Sequence, residues 1–157
     1  MKTTARKLQK GFTLIELLVV IGILAILLAI TLIAINPARQ FSQANNTKRS
    51  SDVNAVLNAI NQYMADNKGA LPTGINTTVQ TVMATGGVNL CTALVPTYIA
   101  ALPVDPLTNN GQPVDATACS GTTWTTNYTV QQLTGGSNRL TVSAPASELG
   151  ATISVTR

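Results

Sequence analysis

The sequence predicts an α+β protein: a long N-terminal helix, membrane-spanning in its first half and amphipathic in its second, laid on a small antiparallel β-sheet. Three observations predict it. Residues 14–35 form an apolar run of Leu, Ile, Val and Ala, with one Gly, one Thr and a single carboxylate, Glu16, near its start. Val53, Val56, Leu57, Ile60, Tyr63 and Met64 recur at helical spacing and draw one apolar stripe. Residues 125–131, 139–144 and 152–156 alternate between apolar and polar types, the period of a half-buried strand. A three- or four-stranded sheet placed on the stripe buries both surfaces.

The chain accordingly divides into a basic leader (1–11), an apolar helix (12–35), an amphipathic helix (36–68) and a globular loop and sheet region (69–157). The apolar run is long enough to cross a bilayer as a helix rising about 1.5 Å per residue. Lys2, Arg6, Lys7 and Lys10 precede it and orient it with the basic end inside. An ordinary secretory signal is cut after its apolar region. Here the candidate cut precedes it, so the run survives as an anchor. Glu16 costs roughly 2.5–3.5 kcal/mol in hydrocarbon and calls for a partner.

Ten basic and six acidic residues give a net charge of +4. Four of the basic residues sit in the leader, and from Phe12 onward Arg39, Lys48, Arg49, Lys68, Arg139 and Arg157 balance Glu16, Asp52, Asp66, Asp105, Asp115 and Glu148. The basicity is therefore a targeting feature, and no basic stripe argues for nucleic acid.

Asn36-Pro37 interrupts the apolar segment. Asn as cap and Pro at the first helical position fit a helix restarting there, while Pro inside a continuous helix would kink it. If the two halves are continuous, the helix reaches about 80 Å. Between Gln43 and Ser51 the pattern is polar nearly all round, requiring solvent or polar partners. Lys68-Gly69 supplies a stop. Beyond it, residues 79–83 fit helix or strand, 94–99 an irregular, partly buried connection, and Gly135-Gly136-Ser137-Asn138 a hairpin turn.

Cys91 and Cys119 lie outside the span, in the part translocated if the leader stays cytoplasmic. A disulfide between them closes about 29 residues and stabilises by roughly 3–4 kcal/mol in the chain-entropy model. Two free thiols or an intermolecular bond are the alternatives. The chain has no histidine, and its cysteines are far apart, so no metal site is expected. Paired carboxylates at close spacing and a Gly-rich phosphate loop are also lacking, so neither catalytic residue nor cofactor is expected. Asn45, Asn76 and Asn127 meet the Asn-x-Ser/Thr glycosylation pattern at about the frequency chance gives in so Asn- and Thr-rich a chain.

Gly11-Phe12-Thr13-Leu14-Ile15-Glu16 resembles the class III signal of type IV prepilins and type II secretion pseudopilins. The resemblance implies a pilin-like fold. It also implies cleavage by a prepilin peptidase between Gly11 and Phe12, N-methylation of Phe12, and assembly through Phe12 and Glu16, whose carboxylate pairs with the α-amino group of Phe12 on the next subunit. Helix breaks at Gly22 and Pro37 belong to the same implication, since this region can unwind when subunits pack. The implied partners are further copies in a helical filament, the peptidase, the inner-membrane assembly platform, and the membrane before assembly. The product is an extracellular pilus on the cell surface.

Tyr98-Ile99 with Leu102-Pro103-Val104-Asp105-Pro106 resembles a stretch of major pseudopilins and many minimal pilins. Major pseudopilins bind calcium in a later loop. Beyond Asp105 only Asp115 and Glu148 are acidic, a poor set for six to eight oxygen ligands, and a solvated turn is expected. The alternatives to a pilus subunit are a periplasmic pseudopilin and a membrane-anchored binding module that never polymerises.

Overall fold

The structure, a computed structural model, describes residues 11–135 and 138–157. The basic leader residues Lys2, Arg6, Lys7 and Lys10 and the middle of the expected 135–138 turn lie outside the described residues. The chain divides into two compact units after Gln40.

The first unit is built on α1, Leu14–Ile35. Its 22 residues span about 33 Å, close to the roughly 30 Å of a hydrocarbon core. The helix is apolar on every side, with no residue buried. In the isolated subunit it runs unbroken through Gly22, and the interruption falls at Asn36; the unwinding that the resemblance implies belongs to packed subunits. Asn36 adopts the left-handed conformation (φ 47°) that ends α1. Asn36 also starts α2, Pro37–Asp66, its carbonyl accepting from the amides of Arg39 (3.1 Å) and Gln40 (3.4 Å). Pro37 at the first position needs no amide partner. Of the readings the Asn36-Pro37 pair allowed, the structure shows the restart.

In the second unit α2 turns Val53, Val56, Leu57, Ala59 and Ile60 into the core, with Tyr63 and Met64 half-buried at its edge. It ends as the dipeptide predicts. Lys68 (φ 54°) is left-handed, and the Gly69 amide donates to the Met64 carbonyl at 2.8 Å, closing the last turn.

Four strands form an antiparallel sheet in the order β1 (Gln80–Met83), β4 (Thr125–Gln132), β5 (Leu140–Ala144), β6 (Ile153–Thr156). The segment that fitted helix or strand is thus strand β1. Alternation puts Thr126, Tyr128 and Val130 of β4 and Leu140, Val142 and Ala144 of β5 into the core. Val130, Val142 and Val155 lie opposite one another across three strands. The outer face carries Thr129, Gln131, Thr141, Ser143 and Ser154. Beside β1 the chain doubles back so closely that a Cβ on Gly87 would meet the Thr81 carbonyl oxygen, and only glycine fits. The 94–99 connection begins in the short helix α3, Cys91–Leu94. A two-stranded ladder, β2 (Ala101–Leu102) with β3 (Val114–Asp115), completes the unit.

Candidate assembly segment and buried charge cluster

The segment from Gly11 to Glu16 is exposed, and Phe12 is 82 % accessible. Thr13 caps α1, and Thr13 with Glu16 forms a reciprocal capping box. The Thr13 amide donates to Glu16 Oε2 at 2.8 Å, the Thr13 hydroxyl donates to the same oxygen at 2.7 Å, and the Glu16 amide donates to Thr13 Oγ1 at 3.3 Å. The carboxylate therefore has partners within its own chain, which lowers its cost in an apolar setting. The Thr-x-x-Glu spacing that signals such a box was legible in the sequence beside the resemblance.

Cys91 and Cys119 are joined in a disulfide with Cα atoms 5.6 Å apart. It ties the first residue of α3 to the helical turn Ala118–Ser120.

The second unit holds a charge cluster that sequence reasoning missed. Arg49 is completely buried on α2, one turn before Val53 on the same stripe. Its Nε donates to Asp105 Oδ2 at 2.6 Å and its Nη2 to Asp105 Oδ1 at 3.2 Å, a bidentate pair. Its Nη1 donates to Glu148 Oε2 at 2.8 Å and to Asn46 Oδ1 at 3.1 Å. Glu148 also accepts from Ser42 Oγ (2.9 Å) and Asn45 Nδ2 (3.0 Å), while Asn46 holds its backbone on both sides. These are the partners that the polar stretch before Val53 required. The Asp105 carboxylate raises the affinity of Arg49 for its proton, and Glu148 adds to the effect. In turn Arg49, then Asn45 and Ser42, hold Glu148 below the usual carboxylate range.

The solvated turn expected at Asp105 is thereby corrected: this carboxylate is 1 % exposed because a guanidinium is there to pair it. Asp115 stands apart and accepts from the Ala118 amide at 2.8 Å. Among the described residues no group of three His, Cys, Asp or Glu side chains is placed to hold a metal ion. A further polar tie joins α2 to the sheet, where the Tyr128 hydroxyl donates to Asp52 Oδ2 at 2.8 Å.

Comparison with known proteins yields one family match: residues 6–32 fit the prokaryotic N-terminal methylation motif. Neither a curated protein nor a solved structure matches the chain. The matched residues cover Gly11, Phe12, Glu16, Gly22 and most of α1.

Proposed function

We propose, from an N-terminal methylation motif and apolar helix that fit the class III signal of type IV pilins and pseudopilins, that this chain is the structural subunit of a type IV pilus. The observation that carries the proposal is the union of the motif at 6–32 with an α1 that is apolar around its whole circumference. The motif implies a peptidase-processed, membrane-anchored precursor. The peptidase cuts between Gly11 and Phe12 and methylates Phe12. The subunit waits in the cytoplasmic membrane, held by α1, until the assembly platform extracts it.

Extraction is favourable only where α1 is buried again among other copies of α1. Each Å² of apolar surface so shielded contributes about 25 cal/mol. A head-to-tail contact that does not close on itself repeats into a helical filament. At that point Glu16 exchanges its own Thr13 for the α-amino group of Phe12 on the next subunit. The role is structural. The chain has no histidine, and among the described residues the buried carboxylate, Asp105, is paired with Arg49.

The stretch Leu102-Pro103-Val104-Asp105-Pro106 favours a second reading, a type II secretion pseudopilin. The engagement of Asp105 by Arg49 and of Asp115 by the Ala118 amide speaks against a calcium loop of the pseudopilin kind. The deciding experiment is the intact mass of the protein in the fraction sheared from whole cells. A mass for residues 12–157, plus one methyl group and minus two hydrogens, is the expected result. A processed chain confined to the membrane supports the pseudopilin, and an uncleaved one a simple anchor.

A further inference from the structure

A surface cavity of about 510 Å³ lies where the loop after Asp105 meets the disulfide-tied turn and the start of β4. Thr108 and Asn109 form one wall, Ala118 and Gly121 another, and Thr123, Trp124 and Thr125 the third. The volume falls within the roughly 300–1,000 Å³ of small-molecule sites.

Backbone bonds hold both loop walls. The Thr108 amide donates to the Asp105 carbonyl (2.9 Å), the Gly111 amide to the Thr108 carbonyl (2.8 Å) and the Gly121 amide to the Ala118 carbonyl (2.9 Å). Between Ala118 and Gly121, Cys119 is tied to Cys91, whose side chain is in the core. Asp105, which anchors the first wall, is itself locked by Arg49. The cavity is therefore formed before any ligand arrives, which removes an ordering cost from binding.

Its chemistry is specific in three ways. No charged side chain lines it, so an ionic ligand would lose its hydration without a counter-charge. Three threonine hydroxyls and one carboxamide offer both donors and acceptors around a single large aromatic ring. Among the described residues, the only buried side-chain polar atom without a hydrogen-bond partner is Nε1 of Trp124, the residue that supplies that ring. An unpaired buried donor costs about as much as a lost hydrogen bond, and a functional site is one of the few reasons to carry one. A purely apolar ligand would strand the threonine hydroxyls and the Asn109 carboxamide. A proline-rich peptide prefers an open groove lined by several aromatic rings, and this cavity has one.

We propose that this cavity binds a neutral saccharide, one sugar ring lying with its C–H face on Trp124 and its hydroxyls bonded to Asn109 and the threonines. The ring of such a ligand is apolar on its faces and rich in donors and acceptors on its edge, the complement of this lining. The site belongs to the globular unit and does not depend on whether the subunit enters a pilus or a pseudopilus.

Trp124 is the chain's single tryptophan, so its emission reports on this site alone. The full processed chain, in a zwitterionic detergent without a sugar headgroup, is titrated with glucose, galactose, N-acetylglucosamine and N-acetylgalactosamine, with sorbitol as the open-chain control. At least one of the four is expected to shift the emission saturably, with half-saturation in the millimolar range, and sorbitol is not. By saturation-transfer NMR, Trp124→Ala should abolish the signal and Trp124→Phe retain it. Asn109→Gly removes the carboxamide while keeping the left-handed backbone of that position (φ 47°), and should weaken binding about three- to tenfold. A flat response to all four sugars overturns the proposal, as does binding that Asn109→Gly leaves unchanged. Saturation by a proline-rich peptide but by no sugar overturns it too. Should Trp124→Ala fail to fold, judged by circular dichroism, Asn109→Gly decides.

Discussion

Arg49 occupies a helix position where spacing calls for an apolar side chain, and two carboxylates from distant loops make that tolerable. Truncating one partner of a buried ion pair leaves the other charge without compensation, at a cost of about 3–5 kcal/mol. Arg49→Met is therefore expected to destabilise the globular unit by about that amount, measured by denaturant unfolding of the processed chain followed by circular dichroism. Arg49→Lys should recover little of the loss, because an ammonium cannot reproduce the bidentate bond to Asp105.

Glu148 makes the same cluster sensitive to acid. Its folded-state pKa lies below the ordinary carboxylate value, so the unfolded chain takes up the proton at a higher pH than the folded one. The stabilisation is complete above the unfolded value, about 4.3, and is lost as pH falls through the folded one. Thermal unfolding scans from pH 6 downward, a range set on the order of that value, should show the melting temperature dropping in this window. Glu148→Gln should flatten the drop while lowering stability at neutral pH.

At the scale of elements, the disulfide and the two helix ends do different work. Cys91 and Cys119 are 28 residues apart, and closing a loop of that size stabilises by about 3–4 kcal/mol in the chain-entropy model. The double substitution Cys91→Ser and Cys119→Ser should lower stability by an amount of that order in the same unfolding assay, and reduction of the parent chain should match it. The Asn36-Pro37 pair illustrates how one dipeptide carries two instructions. Left-handed Asn36 ends α1, and its oxygens then cap the exposed amides of α2, while Pro37 has no amide to satisfy. Its sequence permitted either a restart or a kink. The backbone conformation of Asn36 selects the restart.

For the molecule as a whole, the proposed pilus role rests on α1 having two environments, lipid before assembly and other copies of α1 afterwards. Replacing Glu16 by Ala removes the carboxylate that would pair with the next subunit and leaves the apolar span unaltered. The expected outcome is a chain that is processed and retained in the membrane, with filaments absent from the sheared fraction by electron microscopy and immunoblotting. Gly11→Ala should stop one step earlier, with the leader still attached. Normal fibres from the Glu16→Ala strain would overturn the assembly mechanism.

Much of this protein follows from short-range pattern. The span, the apolar stripe of α2 and the alternation of β4, β5 and β6 are readable because each is a period of its own element. An element's period says which face must be covered. Even the capping box is local, three residues across. The pairing of Arg49 with Asp105 and Glu148 joins positions 56 and 99 residues apart, and no local period signals it. A charged residue type ordinarily reads as solvated, because burial of its charge is affordable only when partners arrive from elsewhere. Residue 49 did lie on the stripe, four before Val53, and that spacing was the one available hint. The same holds for the cavity beside Trp124: its walls come from three segments that only the folded core and the disulfide bring together. Sequence by itself determined the periods, and hence the elements and the membrane anchor. Tertiary structure alone decided which charges are buried and where a cavity forms, because both depend on what the rest of the chain places against them.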